Sequence, residues 1–247
     1  MKLKNLVSKG VNASVYKEDG KAIKVFNKDF PKSEVLNEAL NTARVEETGL
    51  NIPKISEVSI IDGQWAISMD YIEGDTLAKL MNDNPDKMDE YLNIMVDIQL
   101  DMMTKRCPLL NKLKDKMTRQ IQSLDIDDGK KYDLLTRLDG MPKHVKLCHG
   151  DFNPNNIIVS NGKYYILDWV HAAQGNASAD VARTYLLFAL DNKDVAEKYM
   201  DIFCKKSNTE KKYVQQWLPI VAAAQLTKQR PREKEMLEQW LDVFDFQ

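Results

Sequence analysis

The stretch from Val145 to Trp169 constrains the fold most. An apolar run, Val145 to Cys148, enters the polar loop His149-Gly150-Asp151-Phe152-Asn153-Pro154-Asn155-Asn156 and returns through Ile157-Ile158-Val159. A third apolar run, Tyr164 to Leu167, ends abruptly in Asp168-Trp169. Runs this short, separated by turn formers, read as strands. They deliver three polar side chains, Asp151, Asn156 and Asp168, to one end of a small hairpin. On both sides the pattern is helical. Residues 86–106 carry Met88, Leu92, Met95, Val96 and Leu100 at helical spacing. Further helices are predicted near 111–124, 129–138, 178–190, 194–204, 209–228 and 231–244.

The first seventy residues have a different period. Two short strands are expected around Ser8-Lys9-Gly10-Val11-Asn12, then a hairpin at Asp19-Gly20 leading into Ala22-Ile23-Lys24-Val25-Phe26. Residues 32–48 predict one helix with Val35, Leu36, Ala39, Leu40 and Ala43 on its apolar face, closed by Gly49 and Pro53. Strands 55–61 and 65–71 follow, joined through Asp62-Gly63. After Glu73-Gly74 the helical pattern begins, with Asp75 placed to cap a short helix. The expectation is an α+β chain with a β-rich lobe at 1–71 and a larger, mainly helical lobe at 72–247.

Composition narrows the function classes. The 35 basic and 37 acidic side chains leave a formal charge of -2, which gives no global electrostatic case for nucleic acid or an anionic membrane. Three cysteines, Cys107, Cys148 and Cys204, form no CxxC pair and read as buried small hydrophobes of a reducing compartment. With no apolar segment at the start and no stretch long enough to span a bilayer, the expected location is the cytoplasm. A hydrophobic fraction of 43% suits an ordinary globular chain.

The hairpin's polar residues match the needs of phosphoryl transfer. One carboxylate orients an acceptor hydroxyl and takes its proton, while an amide oxygen and a second carboxylate hold Mg²⁺ against the phosphates. The bland alternative is a polar loop whose Asp and Asn make only local turns. His149-x-Asp151-x-x-x-x-Asn156, followed by Asp168 after an apolar strand, resembles the catalytic and metal-binding loops of the protein-kinase-like superfamily. Gly150 and the Asp168-Trp169 ending resemble the aminoglycoside phosphotransferase and choline kinase branch. That resemblance implies a bilobal fold and an ATP-dependent kinase (GTP possible) acting on a small-molecule hydroxyl. Asp151 would be the base, with Asn156 and Asp168 the metal ligands. It also implies that His149 braces the loop through backbone hydrogen bonds. Gly175 to Arg183 resembles a further family segment in which Asp180 anchors the loop's amides. Ser178 as helix cap and Asp180 in the first turn are a sufficient alternative.

Lys24 lies on the strand face of Ala22 and Phe26, where an unpaired charge is costly. By resemblance it is the lysine over the α- and β-phosphates, against the alternative of an edge lysine in solvent. Its partner is expected on the following helix, and Glu38, beside the apolar stripe, is the choice. The Ser8–Ser14 loop takes the place of a glycine-rich phosphate cover, with Ser8, Gly10 and Asn12 approaching the nucleotide, though it has one glycine only. Asp70 and Ile72 resemble the hinge whose backbone reads the adenine edge. Two departures oppose a protein kinase: Trp169-Val170 replaces Phe-Gly, and only about ten residues separate Asp168 from the next helix. A third places Asn153 where protein kinases often carry a lysine, with no evident replacement for that cation.

For the acceptor, Asp151, Trp169, His171, Gln225 and the end of the chain are candidate linings. The acid-rich tail, Glu233, Glu235, Glu238, Asp242 and Asp245, could attract a polycation, or be a solvated face mixed with Lys228, Arg230, Arg232 and Lys234. An aminoglycoside-like or metabolite acceptor, a choline- or thiamine-type alcohol kinase, and a non-catalytic nucleotide-binding regulator all stay open.

Overall fold

Residues 3–246 are described by a computed structural model. Alternating apolar and polar positions from Leu6 to Asp70 form an antiparallel five-stranded sheet, β1 (Leu6–Lys9), β2 (Ala13–Glu18), β3 (Lys21–Phe26), β4 (Ile55–Ile61) and β5 (Gln64–Asp70), in the order β1-β2-β3-β5-β4. Asp19-Gly20 and Asp62-Gly63 turn two of its hairpins with paired positive φ, the geometry that matches the strand twist. Helix α1 (Lys32–Glu46) covers one face, packing Val35 and Ala39 against Ala13, Phe26 and Ile67. Ile23, Val25 and Ala66 form a separate cluster with Tyr16 and Ile61.

The buried face of α1 differs from the predicted stripe. Leu36, Leu40 and Ala43 are exposed, whereas Glu38, Asn41 and Thr42 are buried beside Val35, Ala39 and Val45. Polar partners set the rotation: Lys24 receives Glu38, and the Asn41 amide donates to the Val170 carbonyl at 3.2 Å. Periodicity counts apolar residues only, so it cannot weigh these bonds.

Packing divides the chain into two compact units. The first gathers everything up to Asp83 together with Pro154–Ala172. Strand β6 (Asp75–Thr76) pairs with β8 (Ile157–Ser160), which pairs with β9 (Lys163–Ile166). Gly74 permits the first pairing, since a Cβ there would lie 2.1 Å from the Val159 carbonyl oxygen. The Ile166 amide donates to Asn51 O at 2.9 Å, fastening the hairpin to the sheet region's chain. Helix α2 (Leu77–Asp83) is capped by Thr76, whose Oγ1 accepts from Lys79 N at 3.2 Å, and not by Asp75. Asp75 lies in β6, where its carboxylate pairs with Lys79 instead.

The second unit holds Asn84–Asn153 and the chain from Ala173 onward. It contains α3 (Met88–Thr104), α4 (Leu113–Ser123), α5 (Asp128–Gly140), α6 (Ala177–Ala189), α7 (Lys193–Ser207), α8 (Lys211–Gln215), α9 (Leu218–Leu226) and α10 (Pro231–Gln239). Strands β7 (Lys146–Cys148) and β10 (Ala173–Gly175) pair antiparallel within it. Helix α6 is buried continuously from Ser178 to Leu186, and α9 from Leu218 to Gln225, so these two form its centre. Asn176, not Ser178, caps α6, its Oδ1 accepting from Ser178 N at 3.0 Å. The single helix predicted over 209–228 is broken into α8 and α9, because Pro219 has no amide to continue the first. Among the described residues no helix is long and apolar enough to cross a membrane.

Candidate active site

In the first unit, β3 and α1 bring two charges together and β9 adds a third. Lys24 Nζ donates to Glu38 Oε1 at 2.5 Å and lies 3.5 Å from Asp168 Oδ1. Burial works against the lysine's charge, but Asp168 and Glu38 outweigh it and hold its pKa above the usual value. Burial lifts the Glu38 carboxyl; Lys24 offsets part of that, and the like charge of Asp168 adds to it. Asp168 is held at φ 62° and ψ 67°, in the left-handed region, between the end of β9 and a short turn at Trp169–His171. For a residue with a Cβ that conformation costs on the order of 1–3 kcal/mol, and an aspartate bears it better than most. Its carboxylate is 38% exposed, the most accessible of the three. Asn156 precedes β8, and its carbonyl accepts from Leu167 N at 2.8 Å, one residue before Asp168. Asn156 and Asp168 thus stand on adjacent strand ends.

The remaining sites expected in this unit are peripheral to that cluster's bonds. Ser8 ends up in exposed β1, and Gly10 and Asn12 shape the turn to β2, with Gly10 N donating to Ala13 O and Asn12 O accepting from Asn27 N, both at 2.8 Å. Asp70 closes β5, its Oδ2 accepting from Lys54 N at 3.2 Å. Beyond it, neither the N–H nor the C=O of half-buried Ile72 has a hydrogen bond within the described residues.

The second unit holds Asp151. Strand β7, pinned by β10 and by the bond from Leu147 N to Lys105 O, leads straight into the loop. Asp180, buried in the first turn of α6, accepts from His149 N at 3.0 Å and from Gly150 N at 2.7 Å. Burial lifts its carboxyl, while His149, the two amides and Arg183 pull it back. Asp151 N donates to the His149 ring Nδ1 at 3.2 Å, and Phe152 is fully buried edge-on to that ring. Gly150 sits at φ 79°, which explains glycine between the histidine and the aspartate. Asn153 donates its side-chain amide to Asp151 Oδ2 at 3.3 Å.

Sequence reasoning missed the cations around this aspartate. Arg183, one turn beyond Asp180, donates to the Gly150 carbonyl, to Gln225 Oε1 at 2.8 Å and to Asp151 Oδ1 at 3.4 Å. Lys228, past the end of α9, lies 3.7 Å from the same oxygen. Burial, then the Arg183 charge, depresses Lys228 to about 8, and the same causes with Lys228 added bring Lys116 on α4 to about 8. The signal for Arg183 was its i,i+3 spacing from Asp180 on an otherwise apolar helix. Lys228 had none.

Two proposed acceptor linings fall away. Trp169 is 1% exposed, its indole N–H donating to Ile166 O, so it is core of the first unit. The tail acids are mostly spent or solvated: Glu233 binds Gln225 Nε2 and Arg230, and Glu238 stands 3.6 Å from Lys234. Elsewhere a concavity of about 560 Å³ is lined by Asp133, Arg137, Met141, Lys212 and Gln216, none of them tied to this chemistry.

A family model described as phosphotransferase enzyme family matches residues 7–213. The chain belongs to that family. Among curated proteins none matches it significantly by sequence. Solved structures share its fold at low identity. Aminoglycoside phosphotransferase APH(4)-Ia, in ternary complex with AMP-PNP and hygromycin B, is 14% identical at a TM-score of 0.71, covering 97% of this chain and 91% of that one. Amicoumacin kinase hAmiN with AMP-PNP and Ca²⁺ is 11% identical at 0.67, covering 98% and 87%. A choline/ethanolamine kinase family protein from Mesorhizobium loti is 14% identical at 0.57, covering 99% and 86%. The α+β fold of this phosphotransferase, with its β-rich N-terminal sheet and helical C-terminal part, is therefore kinase-like.

Proposed function

We propose that this phosphotransferase moves the γ-phosphoryl group of ATP to a hydroxyl of a small molecule, with Asp151 as the base. One observation carries the reading. Asp151 is a partly exposed carboxylate on a loop fixed from below by Asp180, with one oxygen bonded to Asn153 and the other facing cations. Such a group is oriented before substrate arrives, which is what positioning catalysis requires. The acceptor hydroxyl gives its proton to Asp151 as its oxygen bonds the γ-phosphorus; the bridging P–O bond breaks and ADP leaves.

Lys24, kept charged and aimed by Glu38, binds the α- and β-phosphates. The Ser8–Asn12 turn covers them, and the backbone at Asp70 and Ile72 takes the adenine edge. Asn156 and Asp168 offer two hard oxygen donors on adjacent strand ends, a set that suits Mg²⁺ completing its shell with phosphate and water. Mg²⁺ bound there would neutralise charge on the phosphates. His149 and Asp180 hold the loop and touch no substrate.

Release of ADP from Mg²⁺-ATP, followed across aminoglycosides, choline, ethanolamine, thiamine, sugars and hydroxy acids, tests the reading. A hit lost in Asp151→Asn supports it. Nucleotide binding with no turnover on any acceptor would leave a regulator, and absence of Mg²⁺-ATP binding would overturn the reading altogether.

A further inference from the structure

The charge around the base is unbalanced. Lys116 feels the charges of Arg183, Lys228, Asp180 and Asp151, and Lys228 those of Arg183, Asp151, Arg230 and Glu233. Asp180 accepts from two loop amides yet keeps its charge, which acts on Lys116, and Arg230 is paired with Glu233 at 2.9 Å, so three cations face two carboxylates. Asp151 is 24% exposed, whereas Asp180 is buried. Lys228 is less tied than Arg183, which donates to Gly150, Asp151 and Gln225. The Lys228 side chain is 25% exposed, and its ammonium makes no hydrogen bond within the described residues and has a single carboxylate within 4 Å, Asp151 at 3.7 Å. A half-buried ammonium held beyond hydrogen-bond distance is costly unless a ligand completes it.

We infer that the acceptor is an anion: a hydroxy acid, sugar acid or sugar phosphate whose carboxylate or phosphate is received by Lys228, with Arg183 and Lys116 behind it. The inference rests on the kinase reading above, since it needs Asp151 to meet the acceptor hydroxyl. An oxygen at about 2.7 Å from Asp151 lies within one or two carbon–carbon bonds of a group that Lys228 can reach. A substituent on a neighbouring carbon therefore meets a cation, and an ammonium placed there meets repulsion from Lys228 and Arg183. An anion bound there would push both depressed lysines back up, against the burial that lowers them. The reaction is unchanged in its bonds: the acceptor O–P bond forms, the β,γ-bridging bond breaks, and the proton goes to Asp151.

Two matched series test it on the full chain with Mg²⁺-ATP: glucuronate, glucose and glucosamine, and glycerate, glycerol and 3-amino-1,2-propanediol. ADP release gives kcat and KM, and calorimetry with Mg²⁺-AMP-PNP present gives affinity. The expected order is anion, then neutral, then cation, with about ten- to a hundredfold between anion and neutral, the size of a charge-assisted contact. Added salt should narrow the gap. Lys228→Gln should raise KM for the anions far more than for the neutral compounds, and Lys228→Arg should restore it. A better cationic acceptor, anions that neither bind nor react, or a Lys228→Gln loss of kcat equal for all charges would each overturn it. The last result would assign Lys228 to the transferred phosphoryl group. Nucleotide binding measured alone separates these failures from failure of the kinase reading.

Discussion

The two charged clusters carry opposite surpluses. In the first unit one ammonium, Lys24, stands between two carboxylates, Glu38 and Asp168. In the second, Arg183 and Lys228 stand within 4 Å of Asp151 and Lys116 feels its charge, three cations against Asp151 and Asp180. Either imbalance costs folding free energy, because partly buried charge without a matching partner is poorly solvated. A fold retains such a cost where a ligand of the missing sign relieves it. The comparison therefore assigns a cation to the first cluster and an anion to the second. Neighbouring folds solved with hygromycin B or from the choline/ethanolamine kinase family say nothing about this sign, since at 14% identity they show the fold alone.

The largest expected effect comes from removing the Asp151 charge from the second cluster. Asp151→Asn should lower kcat by about 10²–10⁴-fold, the range of general-base catalysis, while the Kd for Mg²⁺-ATP changes little. An equal loss in nucleotide affinity would break the comparison, because the clusters would then share one ligand. Next in size is Asp168→Ala, which erases the first cluster's negative surplus. Titration with Mg²⁺ at fixed ATP should show an affinity loss of at least about tenfold, with binding of an anionic acceptor measured separately and unaffected.

How far these clusters were legible depends on what a sequence pattern encodes. Asp151, Asn156 and Asp168 were picked out because strand ends flank them at short range and the loop resembles a kinase-like pattern, and the hairpin that carries two of them formed as expected. Glu38 was found from helical geometry even though the predicted stripe was turned; its burial follows from a bond to Lys24, which periodicity does not contain. The membership of the first unit is illegible for the same reason. Residues 154–172 lie far along the chain, and only strand pairing to Asp75–Thr76 and the bond to Asn51 attach them to the first unit. Lys228 was illegible altogether. It follows an apolar helix and precedes two arginines, the setting of an ordinary solvated lysine, and its half-burial depends on packing that no local pattern records.

The smallest effect sharpens the comparison most. If Lys228 is kept charged for a ligand, the empty protein should be more stable without it. Its pKa in the folded chain is about 8 against the ordinary 10.5, set by burial and then by Arg183 and Arg230, with Asp151 and Glu233 opposing and Lys116 beside it. Below pH 8 both folded and unfolded chains hold the proton, so the full penalty is present. Between about 8 and 10.5 the unfolded chain retains a proton the folded chain has lost, and stability rises with pH. Lys116 adds a second group of the same sign. Lys228→Met should therefore raise the thermal midpoint at pH 7, by about 2–4 °C for each 1 kcal/mol relieved in a chain of this size, and should remove roughly one proton from the slope of stability between those limits. The same variant should bind glucuronate or glycerate less well. A midpoint that falls at pH 7 would mean that Asp151 already satisfies Lys228, and the positive surplus would then be structural rather than reserved for an acceptor.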